Sequence, residues 1–280
     1  MEHYNDTTKC DKTLLTEVNY SPTMRIAHIS DIHCNYGTDF NEKVYEKGIK
    51  LLNKIDADLV FISGDLTTDG LLNEYELAKE KITEIEGELA IVPGNHDERN
   101  LGFKLFPEIF GETDFIHNYD NITLVGLASS EPDKDDGRLG RGRHQRIEQG
   151  IKKNKMTIIG FHHHLIPVPN SGRETNIIED AGETLDIILQ NNVPLVLMGH
   201  RHVPYGVRIH NTLIVNAGTF SCNRTRAHFG NTFNIIDIDE ESIKVSIVDV
   251  RKDKHEKKIH FNLKDGCCIN RYYDLDSKIS

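Results

Sequence analysis

The residues best suited to chemistry are Asp31, His33, Asp65, Asn95, His162, His200 and His202, each just beyond an apolar, β-like run. Arg25-Ile-Ala-His-Ile29 leads into Ser30-Asp31-Ile32-His33, and Leu59-Val-Phe-Ile62 into Ser63-Gly64-Asp65. Ile91-Val92 runs into Pro93-Gly94-Asn95-His96-Asp97, Met156 to Phe161 into His162-His163-His164, and Leu195 to Met198 into Gly199-His200-Arg201-His202. Polar side chains delivered past strand ends are where α/β proteins build sites. One such end alone reads equally well as a surface turn, because Pro, Gly, Asn and Asp are ordinary turn residues. Five of them in one chain are not explained that way. Carboxylate, carboxamide and imidazole together suit Mn, Fe or Zn better than Ca or a thiolate-seeking ion.

The elements that must carry these residues follow from periodicity. A strand over Arg25 to Ser30 precedes a helix near Phe40 to Lys54, then a strand at Leu59 to Ser63, a helix near Asn73 to Glu84 and a strand at Glu88 to Val92. This β-α-β-α-β start predicts a central sheet with helices packed outside it. A short helix after Glu98, strands near Phe115 to Asn118 and Ile122 to Leu127, and a helix ending by Lys153 come next. Beyond a helix at Ala181 to Gln190 and the Gly199-His-Arg-His202 block, the texture turns to strands at Gly206 to Ile209, Leu213 to Asn216, Asn231 to Ile238 and Ser242 to Val250. One domain is expected over residues 23–263, with 1–22 a polar leader and 264–280 a polar C-terminal tail.

The ordered blocks D-x-H, G-D, G-N-H-D, a histidine cluster and G-H-x-H resemble the calcineurin-like metallophosphoesterase family, over about Met24 to Phe220. The pattern is nearest the branch of class III cyclic-nucleotide phosphodiesterases and DNA-repair-exonuclease-like enzymes. The resemblance implies an α/β fold, a four-layer α/β/β/α sandwich of two facing mixed sheets, closed after the last block by a small-residue turn such as Asn216-Ala217-Gly218-Thr219. It implies two metal ions bridged by Asp65, with Asp31, His33 and His202 at one and Asn95, His200 and one histidine of the triplet at the other. The family's ligand stands directly at the strand end, which selects His162. His163 stays open, because Leu165-Ile166-Pro167 stands where many relatives have Pro straight after the histidines. His96 would contact the phosphate or protonate the leaving oxygen, with Asp97 orienting it through a carboxylate–imidazole hydrogen bond. Asp97 could equally cap the following helix. His163 and Arg201 are placed toward the substrate, and a metal-bridging hydroxide would attack phosphorus.

Three further features have a functional and an ordinary reading. The run Arg138 to Arg146 holds four arginines, suited to clamping an anion but equally a solvated loop and helix start. The segment Leu165 to Glu179 reads as a rim or lid. Cys34, beside His33, is a soft donor in hard-donor company, and His28 reads as a core histidine.

Composition narrows the function. The formal net charge of −11 disfavours long DNA or RNA and leaves a small phosphate-ester substrate. No stretch is long and apolar enough for a membrane span, and the polar stretch Met1 to Ser21 lacks the charged-then-apolar layout expected of a secretory signal. Five irregular cysteines argue for free thiols in a reducing, cytoplasmic setting. A homo-oligomer is compatible with all of this. The leading expectation is a phosphodiesterase on small diesters such as cyclic nucleotides. A repair-type nuclease would want a basic groove, and a phosphomonoesterase a fixed cation such as Arg201, Arg173 or the 138–146 run. A non-catalytic scaffold would have lost ligands, whereas every position here holds a competent one.

Overall fold

The computed structural model describes residues 23–152, 155–172 and 177–273. The leader (1–22), Cys10 and Arg173 lie outside these residues. The chain begins with β1 (Met24–Ile29), α1 (Glu42–Leu52), β2 (Leu59–Ile62), α2 (Leu72–Ile82) and β3 (Leu89–Ile91), the expected alternation with helices trimmed by about a turn at most. It continues with α3 (Gly102–Phe110), β4 (Phe115–Asn118), β5 (Ile122–Gly126), α4 (Gly140–Gly150), β6 (Met156–Gly160), α5 (Ala181–Gln190) and β7 (Leu195–Met198). The last elements are β8 (Tyr205–Ile209), β9 (Thr212–Asn216), β10 (Thr232–Ile238), β11 (Ser242–Asp249), β12 (Lys254–Asn262) and β13 (Cys268–Asn270).

Local chemistry sets these elements. Asn41 caps α1 by accepting from the Val44 amide at 3.1 Å, and Tyr45, Ile49 and Leu52 form one buried stripe along it. β2 and β7 are apolar at every position because both of their faces are covered.

Two mixed sheets result, ordered β13-β12-β11-β10-β1-β2-β3 and β4-β5-β6-β7-β9-β8. Ile26, Leu59 and Phe61 of the first pack against Leu124, Ile158, Leu197 and Val215 of the second. The outer face of the first sheet is covered through Tyr45, Tyr75, Ile82 and Phe106 of α1 to α3, and that of the second through Ile147 and Ile188 of α4 and α5. The layers are therefore α/β/β/α, as the resemblance implies.

Two expectations need correction. Residues from 264 onward are not all tail, because Cys268–Asn270 pairs antiparallel with Ile259, His260 and Phe261 of β12. The half-buried Cys268 and Tyr272 pack onto the inter-sheet core, which short-range polarity does not reveal. Cys268 is a free thiol, but Cys267 is disulfide-bonded, so the cysteines no longer argue for a reducing compartment. Among the described residues no helix is long and apolar enough to cross a membrane.

Candidate metal centre

The C-terminal ends of β1, β2 and β3 in one sheet and of β6 and β7 in the other point at one place. Their loops are locked to each other through the backbone. The Asp31 amide donates to the Gly64 carbonyl at 3.0 Å, the His33 amide to the Asp65 carbonyl at 2.9 Å, and the Thr219 hydroxyl to the Asp31 carbonyl at 2.7 Å. Asp31, His33, Asp65, His200 and His202 all adopt left-handed backbone conformations, with φ between 54° and 72°. Asp and His tolerate that region better than bulkier residues, and it turns each side chain sharply inward off its strand.

Five of the seven ligand candidates are oriented by their non-facing atom. Asp31 Oδ2 accepts the His200 amide at 3.0 Å, leaving Oδ1 3.1 Å from His202 Nε2. Asp65 Oδ1 accepts the His96 amide at 3.0 Å, leaving Oδ2 3.3 Å from His162 Nε2 and 3.6 Å from His33 Nε2. His162 Nδ1 donates to the Ser63 carbonyl at 2.7 Å and His202 Nδ1 to the Arg224 carbonyl at 2.6 Å, which turns both Nε2 lone pairs into the cluster. Asn95 Nδ2 donates to Asp135 at 3.2 Å, so its Oδ1 faces His162 Nε2 at 3.1 Å and His200 Nδ1 at 3.0 Å. Donor atoms of Asp65, His162 and His200 all lie within 4.8 Å of one another, as do those of His33, Asp65 and His96. All seven candidates are brought together.

These contacts suit cations. His33 Nε2 and His202 Nε2 stand 3.1 Å apart, a contact that a proton on His33 or a shared cation would satisfy. Asp31 Oδ1, His33 Nδ1 and His200 Nε2 are buried without a hydrogen-bond partner, an arrangement that costs free energy unless an ion or water satisfies it. Burial pushes His33 down to about 3 and holds His200 well below the ordinary imidazole range, keeping both in the neutral form that binds metal. Burial also opposes charge on His162, yet the Asp65 and Asp31 carboxylates pull it up to about 9, so a proton there must give way to a metal. The donor set fits Mn-, Fe- or Zn-type ions and is poor for Ca.

The neighbours of the ligands correct several expectations. His163 does not reach the substrate side: its Nε2 donates to the Asp135 carbonyl at 3.2 Å and its Nδ1 lies 2.9 Å from the Ser129 hydroxyl. Both nitrogens are used by protein atoms, whereas His162 Nε2 faces Asp65 and Asn95. Asp97 does not orient His96. It accepts from the Thr67 amide at 2.8 Å and the Gly94 amide at 2.9 Å, stapling two site loops together, while His96 Nδ1 donates to the Thr68 carbonyl at 2.5 Å. Nor does Asp97 cap α3, whose N-cap is Leu101. None of the 138–146 arginines lines the cavity over the cluster: Arg143 pairs with Asp114 at 2.7 Å and Arg146 reaches the Asp114 carbonyl, on the flank of the second sheet. Cys34 belongs to the core beneath α1 and α2. The thiol near the ligands is Cys222, whose sulfur groups with His33 and His202.

An open cavity of about 280 Å³ lies over the cluster, lined by Asp65, Asn95, His96, His200 and His202 and by Arg99, Arg201, Arg224 and Arg226. Arg99, Arg224 and Arg226 were missed from sequence. The only signal was Arg224-Thr225-Arg226 shortly after the small-residue turn at 216–219.

The calcineurin-like phosphoesterase family profile matches residues 24–204, well over half of the chain. The chain belongs to that family. A probable cyclic nucleotide phosphodiesterase of Coxiella burnetii is 27% identical over 212 residues, covering 69% of this chain and 82% of the relative. A probable glycerophosphodiester phosphodiesterase of Arcobacter nitrofigilis is 26% identical over 201 residues, covering 64% and 72%. Among solved structures, a dimetal phosphatase from Danio rerio superposes with a TM-score of 0.65 at 10% identity, over 85% of this chain and 99% of that one. This calcineurin-like phosphoesterase is accordingly a metal-dependent hydrolase of phosphate esters.

One buried acid next to the site should make its stability pH-dependent. Glu98 is only 7% exposed, and burial raises its carboxyl to about 7 against about 4.5 in an unfolded chain. The folded state therefore binds the extra proton, so its contribution is complete below pH ~4.5 and lost as pH rises through ~7, by up to about 3 kcal/mol. Glu98→Gln should become steadily more stable relative to wild type from pH 5 to pH 8 in denaturant melts. A constant difference across that range would contradict the assignment.

Proposed function

We propose that this phosphoesterase holds two metal ions, of Mn, Fe or Zn type, and acts as a phosphodiesterase on small diesters, with cyclic nucleotides the first candidates. The observation that carries this reading is Asp65, whose Oδ2 faces His162 on one side at 3.3 Å and His33 on the other at 3.6 Å. A carboxylate between two donor groups suits a bridge, with Asp31, His33 and His202 holding one ion and Asn95, His162 and His200 the other. The diesterase names of the two relatives support the substrate class, and the dimetal phosphatase fold supports the pair of ions.

Bound there, the ions would supply charge neutralisation for the phosphate and an activated water at neutral pH. The chain's own residues do the rest. The Thr68 carbonyl fixes the proton of His96 on Nδ1, so Nε2 is the nitrogen available to the leaving oxygen or to the phosphate. His96 is partly exposed and lines the cavity, as that role requires. Asp97 holds the Gly94 to His96 turn against Thr67 and so positions His96 only through the backbone. The arginines of the cavity wall favour an anionic substrate.

A phosphomonoesterase is the second reading, favoured by those same arginines, which could neutralise the extra charge of a monoester. Hydrolysis of bis(p-nitrophenyl) phosphate and p-nitrophenyl phosphate by Mn-loaded protein separates the two. The diester is expected to be preferred, and Asn95→Ala to lose at least about 100-fold, since even partners outside the ligand sphere typically cost 10–100-fold. A preference for the monoester would move the protein to the second reading. Two bound metals without cleavage of either ester would defeat both.

A further inference from the structure

Among the described residues Cys34, Cys222 and Cys268 are free thiols, and of these Cys222 alone stands with the metal-ligand candidates. Donor atoms of Cys222, His33 and His202 all lie within 4.8 Å of one another, and all three residues are buried. Cys34, although next to His33 in sequence, belongs to the core under α1 and α2. Cys222 lies beyond residue 204, where the match to the family profile ends.

The main chain at Cys222 is held at both of its polar groups. Its amide donates to the Thr219 hydroxyl at 2.9 Å, and that hydroxyl donates in turn to the carbonyl of the ligand Asp31 at 2.7 Å. Its carbonyl accepts from Asn231 Nδ2 at 2.8 Å, and the neighbouring Ser221 hydroxyl donates to the Ile32 carbonyl at 2.9 Å. The sulfur is therefore fixed against the loop that carries Asp31 and His33.

Arg224 orients this sulfur and a ligand together. Its carbonyl takes the Nδ1 proton of His202 at 2.6 Å, and its amide donates to Cys222 Sγ at 3.4 Å. A carbonyl on Nδ1 is how a ligating imidazole is aimed, and an N–H on sulfur supports a ligating thiolate. An independent sign comes from Asp31, whose Oδ1 is 3.1 Å from His202 Nε2, buried, and without a hydrogen-bond partner. A cation shared by these donors removes that cost, whereas a neutral thiol is too weak a donor to do so.

Resting on the two-ion reading, we infer that Cys222 is a further ligand of the ion held by Asp31, His33 and His202. That position then has a sulfur donor, whereas Asn95, His162 and His200 offer only nitrogen and oxygen. The S–H proton leaves to water as the sulfur–metal bond forms, because only the thiolate ligates. A soft donor beside imidazole and carboxylate favours Zn over Mn, so the two positions differ in metal preference.

The test loads the whole chain with Co(II), whose bond to a thiolate gives a near-ultraviolet charge-transfer band that nitrogen and oxygen sites lack. The wild type should show the band, Cys222→Ser should lose it, and Cys268→Ser should keep it. In competition between Zn(II) and Mn(II), Cys222→Ser should lower the preference for zinc by about 10-fold or more, at least the cost of losing a residue that only supports a ligand. Should serine unfold the chain at this buried position, X-ray absorption of the Zn-loaded wild type decides alone, with a sulfur neighbour expected at about 2.3 Å. Only nitrogen and oxygen neighbours in that spectrum would overturn the inference. Two bound cobalt ions without the band, or a band that survives Cys222→Ser, would also overturn it and leave the two-ion reading standing. One bound ion that carries the band would support Cys222 and remove the second ion. A chain that keeps no metal through dialysis would defeat both.

Discussion

Asp65→Asn should lower phosphate-ester hydrolysis by roughly 1,000-fold or more, beyond the 10–100-fold typical of residues that merely support a ligand. Asp65 is 1% exposed, and its two oxygens do different work. Oδ1 takes the His96 amide, while Oδ2 lies between His162 and His33. Asparagine keeps the shape and one acceptor but removes the charge that would bind two cations at once. Burial opposes ionisation of Asp65, yet the neighbouring His162 and His96 hold its carboxyl well below the usual carboxylate range, so the negative charge is present at every working pH. Metal content should fall with activity, read by elemental analysis of dialysed protein. A variant that kept both metal and turnover would remove Asp65 from the centre of the site.

Gly94→Ala is expected to be nearly as damaging, by a different route. A Cβ at Gly94 would stand 2.1 Å from Asp65 Oδ1 and 2.5 Å from the Asp65 amide nitrogen. The second of these is backbone, so no rotamer change relieves it. Either the turn that carries Asn95 and His96 moves away or Asp65 does, and each movement breaks the His96–Asp65 bond and the Gly94–Asp97 bond. Overpacking a dense interior costs typically 1–3 kcal/mol and occasionally more, and the upper end is expected here. The denaturation midpoint and diester turnover should fall together. An alanine variant with wild-type stability and activity would show that these loops are looser than their packing implies.

How far such contacts can be foreseen depends on their range along the chain. The strand ends were readable because an apolar run followed by Asp, Asn or His is a local pattern, and β1, β2, β3, β6 and β7 all end where that pattern predicts. Partners of the ligands were not readable in the same way. Asp97 sits next to His96 yet bonds Thr67, thirty residues earlier, because the turn at Gly94 points the two side chains apart. His162 and His163 differ only in which side of β6 they leave, and that side is decided by Ser63 and Ser129 across the fold. The arginine run at 138–146 offered an anion clamp on density alone, whereas the cavity is lined by Arg201, already placed toward the substrate from its motif, and by Arg226, which no local pattern marked. Cys222 reaches His33 and His202 with no sign in its immediate neighbours. β13 is a pairing across a turn in a charged stretch, where local polarity outweighs the signal of three strand residues.

The division of ligands between the two sheets has a consequence for how the molecule matures. Asp31, His33, Asp65 and Asn95 follow strands of the seven-stranded sheet, and His162, His200 and His202 follow strands of the six-stranded one. Neither half of the chain therefore owns a complete coordination set. A nascent chain released as far as Asn95 could offer an ion only carboxylates, one imidazole and an amide, and would hold it weakly. If metal binds this set as proposed, tight loading would wait until the second sheet has closed over the first, and a bound ion would favour molecules whose two halves have docked in register.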